Sequence, residues 1–416
     1  MRSLDDWLAY IERQHASAIA LGLERVSGVL ARMDARLACP VITVAGTNGK
    51  GSTCAMLEAI LRAAGYRTAL YTSPHLLRYN ERVRIAGREA DDAMLCEAFA
   101  AVEEARQGVP LTYFEYGTLG ALWLFAREKV EAAVLEVGLG GRLDAVNAVD
   151  PDCAVLTSVG IDHVEYLGGS RESIGAEKAG VFRRGRPAVI AEPDAPRTVL
   201  EAPGDHLLIG KDFGYVADAG QWSYWGPGGK RPALAWPALR GRVQLANASA
   251  ALCALDALRE RLPIAMQDVR RGLAEVSWPA RFQVLPGRPQ VILDVAHNPQ
   301  AAAVLARTLA DSGYAAETFA VCGMLRDKDI PGVLRAMVPR ITRWHFATLP
   351  SPRGALAVEL AEHLSSVDAK AVSVAHETPR EALEAATGAA AQNDKIVVFG
   401  SFLTVSDVMA WLNRRT

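Results

Sequence analysis

Apolar and polar positions along the chain switch repeatedly between a helical and an extended period. The opening stretch LDDWLAYIERQ puts Leu4, Trp7, Leu8 and Ile11 at helical spacing, and the first 35 residues read as helix. PVITV is an unbroken apolar run, AGTNGKGST a glycine-rich loop, and CAMLEAILRAAG returns to helical spacing. The order is strand, loop, helix. RTALY predicts a second strand that ends in the polar turn Thr-Ser-Pro-His. AMLCEAFAAVEEARQ and GTLGALWLFAREK predict helices, and AAVLE, CAVL and RPAVI predict further buried strands. Polar residues gather where these strands end: Ser73 and His75, then Glu136, then Asp162 with His163.

Strands that alternate with helices predict a parallel sheet covered on both faces. Such sheets take ligands outside the carboxyl ends of their strands. The segment around WSYWGPGGKRPALAWP breaks the alternation and predicts a hairpin or loop excursion over residues 215–240. NASAALCALDALRERL is again helical. WPARFQVLPGRPQ, rich in proline, is the linker candidate and divides the chain into residues 1–284 and 285–416. Beyond it QVILD, ETFAVC, RWHFA, AVSVAHE and DKIVVF predict a second α/β domain. Its strand ends carry Asp294 and His297, Arg326 and Lys328, Ser351 and Arg353, and Gly400 and Ser401. Two domains edged in this way predict a cleft suited to a ligand.

Composition narrows the classes. The chain has 416 residues, half of them hydrophobic and 22% charged, with a net charge of −2, as expected of a folded globular protein with no nucleic-acid partner. Six scattered cysteines without a CxxC pair read as free thiols of a reducing compartment. The start is acidic and amphipathic rather than a basic region followed by an apolar core, and no run of about 18 apolar residues occurs. These features predict a cytoplasmic protein without membrane contact.

The glycine loop carries the first chemical candidate. Backbone N–H groups at such a loop and at the helix N-terminus converge on an anion, and Lys50 adds a full charge that reaches β and γ phosphates. Ser52 or Thr53 starts the helix, as a cap or as a hydroxyl near magnesium. The loop departs from GxxxxGK[ST], because Val44 stands where the first glycine belongs and Gly51 separates Lys50 from Ser52. Glu136 is either a satisfied ion pair at the sheet edge or a magnesium ligand opposite the loop. His163 is either a hydrogen-bonded core histidine or a ligand of a second cation. The absence of CxxC and HExxH motifs argues against zinc. Lys178 in SIGAEKAG is either a surface lysine or a lysine in a dry site, where a neutral amine can take up carbon dioxide and become a carbamate.

GTNGKGST, LYTSPHL, LEVGLGGRLDAVN, SVGIDHVEYLG, IGAEKAG, LDVAHNP and VFGSFLTVSDV resemble, in order, the motifs of the bacterial bifunctional folylpolyglutamate synthase/dihydrofolate synthases of the Mur ligase superfamily. The resemblance runs from about residue 4 to residue 410. It implies an α/β fold: a Mur-ligase-like P-loop ATPase domain with a parallel-rich sheet, followed by a smaller Rossmann-like α/β domain. It implies ATP-dependent amide ligation through an acyl phosphate, with dihydropteroate, reduced folates, L-glutamate and ATP as substrates. Two magnesium sites, an optional potassium ion and a monomer follow from it as well.

Carried over motif by motif, Thr47, Asn48, Gly49, Lys50, Gly51 and Ser52 hold ATP phosphates. Ser73 and Glu136 ligate one magnesium, and His163 ligates the second with Glu136 bridging. Lys178 matches a lysine that is carbamylated in the family. Asn247, Arg281, Asp294 and His297 match ATP contacts. Thr112 and Phe114 match the segment that holds the pterin, Asp144 lies in the loop that closes over it, and Ser401 lies on the glutamate side. The family chemistry covers dihydrofolate synthesis, γ-linked extension of folates, or both, and LTYFEYG resembles members that do both. Val146 departs from the threonine common before the asparagine, and residues 215–235 match no family feature. Two rivals remain. A Mur-type ligase shares the core but places a UDP-sugar domain before the glycine loop. A regulatory P-loop switch has no need of the second domain.

Overall fold

The computed structural model describes residues 2–218 and 220–414. Eight strands form the first sheet: β1 (Val41–Ala45), β2 (Thr68–Tyr71), β3 (Val83–Ile85), β4 (Arg88–Glu89), β5 (Ala132–Glu136), β6 (Cys153–Leu156), β7 (Pro187–Ile190) and β8 (Asp205–Leu208). Their order is β4-β3-β2-β5-β1-β6-β7-β8, parallel from β2 to β8, with β3 and β4 antiparallel at one edge. Strand β1 lies between β5 and β6 and is buried along its whole length, which is why it reads as an apolar run without alternation. Val44 pairs with Glu136, and Ala45 with Leu156, so the carboxyl ends of β1, β5 and β6 are level. Helices cover the sheet, with one core around Leu4, Trp7, Phe99 and Phe125 and another around Ile174, Phe182 and Val199.

The single opening helix expected from the sequence is two short ones, Leu4–Ile11 and Glu24–Leu30. The chain turns between them, where His15 accepts from the Ser17 N–H and Gly22 adopts φ +144°. That backbone conformation cannot continue a helix. The excursion is a three-stranded antiparallel sheet of β9 (Gly214–Ala217), β10 (Gln221–Gly226) and β11 (Gly229–Ala235). It is fastened to the helix Val243–Ala257 by the buried Asp256, whose carboxylate accepts from the Tyr224 hydroxyl, the Gly228 N–H and the Arg231 guanidinium.

The chain divides into two compact units, Met1–Ala238 with Leu245–Val276, and Leu239–Gln244 with Ser277–Thr416. The break expected at 284/285 therefore falls inside the second unit. Strand β12 (Gln283–Leu285) pairs antiparallel with β13 (Gln290–Leu293), while Phe282 N–H donates to Asp294 and Val295 N–H to Ala280. These bonds make the proline-rich stretch part of a sheet rather than a free linker. The sheet continues with β14 (Thr318–Cys322), β15 (Arg343–Ala347), β16 (Val372–His376) and β17 (Lys395–Phe399), in the order β12-β13-β17-β14-β15-β16, parallel except for β12. Among the described residues, no helix is long and apolar enough to cross a membrane.

Candidate active site

The glycine loop leaves the central strand β1 and enters the helix Lys50–Ala63. Two of its glycines are required by close approach. A side chain on Gly46 (φ +151°) would overlap the Thr157 hydroxyl, and a Cβ on Gly49 (φ +87°) would lie 2.7 Å from Asn247 Oδ1. The segment after β6 then braces the loop. Thr47 N–H donates to the Ser158 carbonyl at 2.9 Å and Asn48 N–H to Ser158 Oγ at 2.9 Å. The Thr157 hydroxyl donates to the Asn48 carbonyl at 2.6 Å, and Gly160 N–H donates to the Thr47 hydroxyl at 2.9 Å. Sequence reasoning missed Thr157 and Ser158, because only the sheet order brings residues about 110 positions away against the loop. The first helical turn buries Gly51, Ser52 and Thr53, and the Thr53 hydroxyl is buried without a protein partner.

Lys50 and Lys178 converge. Lys50 Nζ donates to the Gly46 carbonyl at 3.0 Å, and Lys178 Nζ donates to the same oxygen at 3.1 Å. Lys178 lies on the helix Arg171–Ala179 and is 5% exposed, so it is no surface lysine. Burial pushes its pKa down to about 7, the nearby Lys50 charge pushes the same way, and Asp162 and Asp144 oppose. A buried amine that titrates near neutrality is available as a nucleophile, which an ordinary lysine is not.

Glu136 ends β5 level with the loop, is 4% exposed, and accepts the Ser73 N–H at 3.2 Å. Ser73 is thereby brought beside this carboxylate at the end of the neighbouring β2. His163 stands beyond β6, on the other side of β1, in a left-handed backbone conformation with its ring 35% exposed and Asp162 Oδ1 at 4.0 Å. That exposure removes the core-histidine reading. Among the described residues no group of three or more histidine, cysteine, aspartate and glutamate side chains gathers into a cage. The donors at hand are a carboxylate, a serine and an imidazole. A magnesium ion suits such a set, because it needs only one or two carboxylates and completes its shell with phosphate and water oxygens.

Phe114 and Thr112 begin the helix Tyr113–Arg127 and do different work. Phe114 packs at 5.9 Å from the Tyr71 ring, and a Cβ on Gly138 would lie 2.6 Å from it. Thr112 is the N-cap: its hydroxyl accepts the Glu115 N–H at 3.2 Å, and Glu115 returns the bond to the Thr112 N–H at 2.8 Å. Glu115 also takes an ion pair from Arg25 at 2.8 Å. Asp144 is buried and braces its own loop by accepting from Leu139 N–H at 2.9 Å and Val146 N–H at 3.0 Å. Burial raises its pKa to about 7 against those bonds.

In the second unit, the ends of β13 and β17 bring Arg281, Asp294, His297 and Ser401 together. The Asp294 carboxylate is half-buried, accepts from the Phe282 and Ala296 N–H groups, and feels the Arg281 charge. The Arg281 guanidinium lies 5.9 Å from the Phe402 ring, and the His297 ring lies 6.3 Å from it. The Arg281 Nε is buried without a hydrogen-bond partner. Ser401 caps the helix Phe402–Asn413, its hydroxyl accepting the Leu403 N–H at 3.1 Å. Arg326 and Arg353 do not join this group; they pair with Glu359 and Asp327.

Residues 44–203 match the model of the Mur ligase middle domain, and residues 280–402 match that of the Mur ligase glutamate ligase domain. The chain is 43% identical to the dihydrofolate synthase/folylpolyglutamate synthase of Escherichia coli K12, covering 99% of this chain and 96% of that protein. The Haemophilus influenzae protein of the same name is 40% identical, with 98% and 97% covered. Among solved structures, E. coli FolC in complex with DHPP and ADP superposes with a TM-score of 0.94 at 43% identity, covering 100% and 98% of the two chains. A Yersinia pestis bifunctional folylpolyglutamate synthase/dihydrofolate synthase complexed with AMPPNP and Mn ion gives a TM-score of 0.91 at 44% identity, covering 99% and 98%.

Proposed function

The chain belongs to the dihydrofolate synthase/folylpolyglutamate synthase family of Mur-type ligases, and from that premise we propose how its own residues carry the reaction. It is an ATP-dependent ligase that joins L-glutamate to a pteroate or folate carboxylate and uses a divalent metal. Both activities reside in this one site: glutamate addition to dihydropteroate, and γ-linked extension of reduced folates. The substrate carboxylate oxygen attacks the γ-phosphorus, ADP leaves, and the acyl phosphate is then displaced by the glutamate amine with release of phosphate. The protein acts as a monomer.

The loop Thr47–Ser52 gives its N–H groups and Lys50 to the phosphates, where negative charge spreads as the phosphoryl group transfers. Ser73, Glu136 and His163 would hold two magnesium ions, with potassium as an optional further cation. Bound there, the metal ions neutralise charge on the phosphoryl oxygens. Lys178 reacts through its neutral amine: the cation first gives one proton to water, the nitrogen lone pair then bonds to the carbon of carbon dioxide as a C–O π bond opens, and a second proton goes to water, leaving an anionic carbamate. That exchange relieves the repulsion with Lys50 around the Gly46 carbonyl. Phe114 offers an aromatic face to the pterin, with the Asp144 loop beside it. Asn247, Arg281, Asp294 and His297 contact the nucleotide, and Ser401 lies on the glutamate side.

What supports this reading most is the convergence of Lys50 and Lys178 on one carbonyl, level with Glu136 at the end of the next strand. The test is glutamate-dependent ADP release with Mg-ATP, measured in parallel with dihydropteroate and a reduced monoglutamyl folate. Release with both substrates is expected. Release with one alone removes the bifunctional reading, and release with neither removes the folate substrate class.

A further inference from the structure

The loop 138–147 and the helix that carries Lys178 touch backbone to backbone. A Cβ on Gly141 would lie 2.7 Å from the Glu177 carbonyl oxygen and 2.8 Å from that of Lys178, and one on Gly180 would overlap the Arg142 side chain. Arg142 N–H donates to the Glu177 carbonyl at 2.7 Å, and its guanidinium pairs with the Glu177 carboxylate at 2.8 Å. Asn147 closes this junction. It is 5% exposed, and its side-chain NH2 donates to the Arg142 carbonyl at 2.9 Å and to the Gly180 carbonyl at 3.1 Å. Its Oδ1 accepts from the Arg183 guanidinium at 2.9 Å.

Both protons of the amide are therefore spent on two different segments. One is the loop whose Asp144 lies three residues earlier. The other is the turn two residues beyond Lys178. Aspartate at this position would set an anionic oxygen against two carbonyl oxygens, and an apolar residue would take the side-chain donor from the Arg142 carbonyl and leave the Gly180 carbonyl only its bond from Arg183 at 3.2 Å.

We propose that Asn147 is a positioning residue for the ligase reaction: it locks the substrate-side loop to the C-terminal turn of the Lys178 helix and so holds the Lys178 amine at the Gly46 carbonyl. The inference rests on the role given to Lys178 above. A reactive group displaced by about 1 Å typically costs on the order of a hundredfold in rate, so Asn147→Ala and Asn147→Asp should lower kcat about 30- to 300-fold. The KM for ATP should stay within about threefold, because the glycine loop is braced separately by residues 157–160.

Arg183→Ala removes the bond to Asn147 Oδ1 together with those to the Gly180, Phe182 and Asn147 carbonyls and the Asp150 ion pair, so it loosens the same turn from its partly exposed side, and it should cost about 3- to 10-fold. The deciding readout is a double-mutant cycle with Lys178→Ala, followed by a radiolabelled-glutamate assay sensitive enough for residual turnover. If Asn147 and Arg183 act through Lys178, each double variant is no slower than Lys178→Ala alone. A loss equal to the product of the two single factors overturns the positioning role while leaving Lys178 essential. A Lys178→Ala enzyme that keeps more than about a tenth of its rate overturns the reading of Lys178, and this inference with it. Should Asn147→Asp not fold, the Asn147→Ala cycle decides the question, with Arg183→Ala as the check that loosening the same turn from its exposed side also acts through Lys178.

Discussion

Replacing Lys50 by methionine should raise the pH at which Lys178 loses its proton. The two amines share one acceptor, at 3.0 and 3.1 Å, so their nitrogens are at most about 6 Å apart. At that distance, two unit charges in an effective dielectric of about 20 repel by about 3 kcal/mol, equivalent to about 2 pH units. Lys50 is partly open to water, which lowers this to between about 1 and 2 pH units. With its pKa near 7, about half of Lys178 is neutral at pH 7, against roughly one molecule in 3,000 for an ordinary lysine. Without the Lys50 charge, the neutral fraction at pH 7 should fall about tenfold. Competitive acetylation across a pH series in CO2-free buffer, read on the Lys178 peptide by mass spectrometry, measures both midpoints. A parallel 13C-bicarbonate experiment should show a carbamate signal at pH 7.5 that weakens in Lys50→Met. A midpoint above about 9 in the unaltered protein, or a Lys50→Met midpoint within about 0.3 pH units of it, would refute the electrostatic argument.

Gly46→Ala should abolish ATP binding in a calorimetric titration, since the added methyl overlaps the Thr157 hydroxyl at a backbone angle alanine avoids. Phe114→Ala should raise the KM for dihydropteroate about 10- to 100-fold, the worth of one aromatic face, with the KM for ATP unchanged. Thr112→Ala should instead cost about 1 kcal/mol of stability in urea unfolding, because its hydroxyl is a helix cap. In the second sheet, His345 is buried with its Nδ1 3.0 Å from His376 Nε2, and burial holds its pKa down at about 4. The unfolded chain then binds more protons than the folded one between about pH 4 and 6.5, so stability should fall as pH drops through that window. His345→Phe should flatten that part of a pH–stability curve.

Seven motifs in order, the glycine loop above all, were legible in the residues because each is local: a strand, its polar end and the next helix lie within about 15 positions of one another. The alternation of strands and helices also follows from short-range periodicity, and most strands appear where the apolar runs are. Apolar spacing overruns the opening helix because it does not register the turn at His15 and Gly22. The proline-rich stretch reads as a linker because its strand β12 is stabilised by pairing with β13, a partner that lies beyond an intervening turn.

The chain by itself determined which residue types stand at the glycine loop and the strand ends, since residue type and local spacing decide what a loop or strand end can offer. Tertiary structure decided their state. Only the order β5-β1-β6 places Thr157 and Ser158 under the glycine loop and brings Lys178 to the carbonyl that Lys50 also uses. Sequence left Lys178 open between surface and buried site; burial beside a second cation is what moves its pKa toward neutrality, and burial is a property of the packed molecule. Thr112 shows the converse: the resemblance sets it in the pterin segment, and in the fold its hydroxyl accepts the Glu115 N–H as a helix cap.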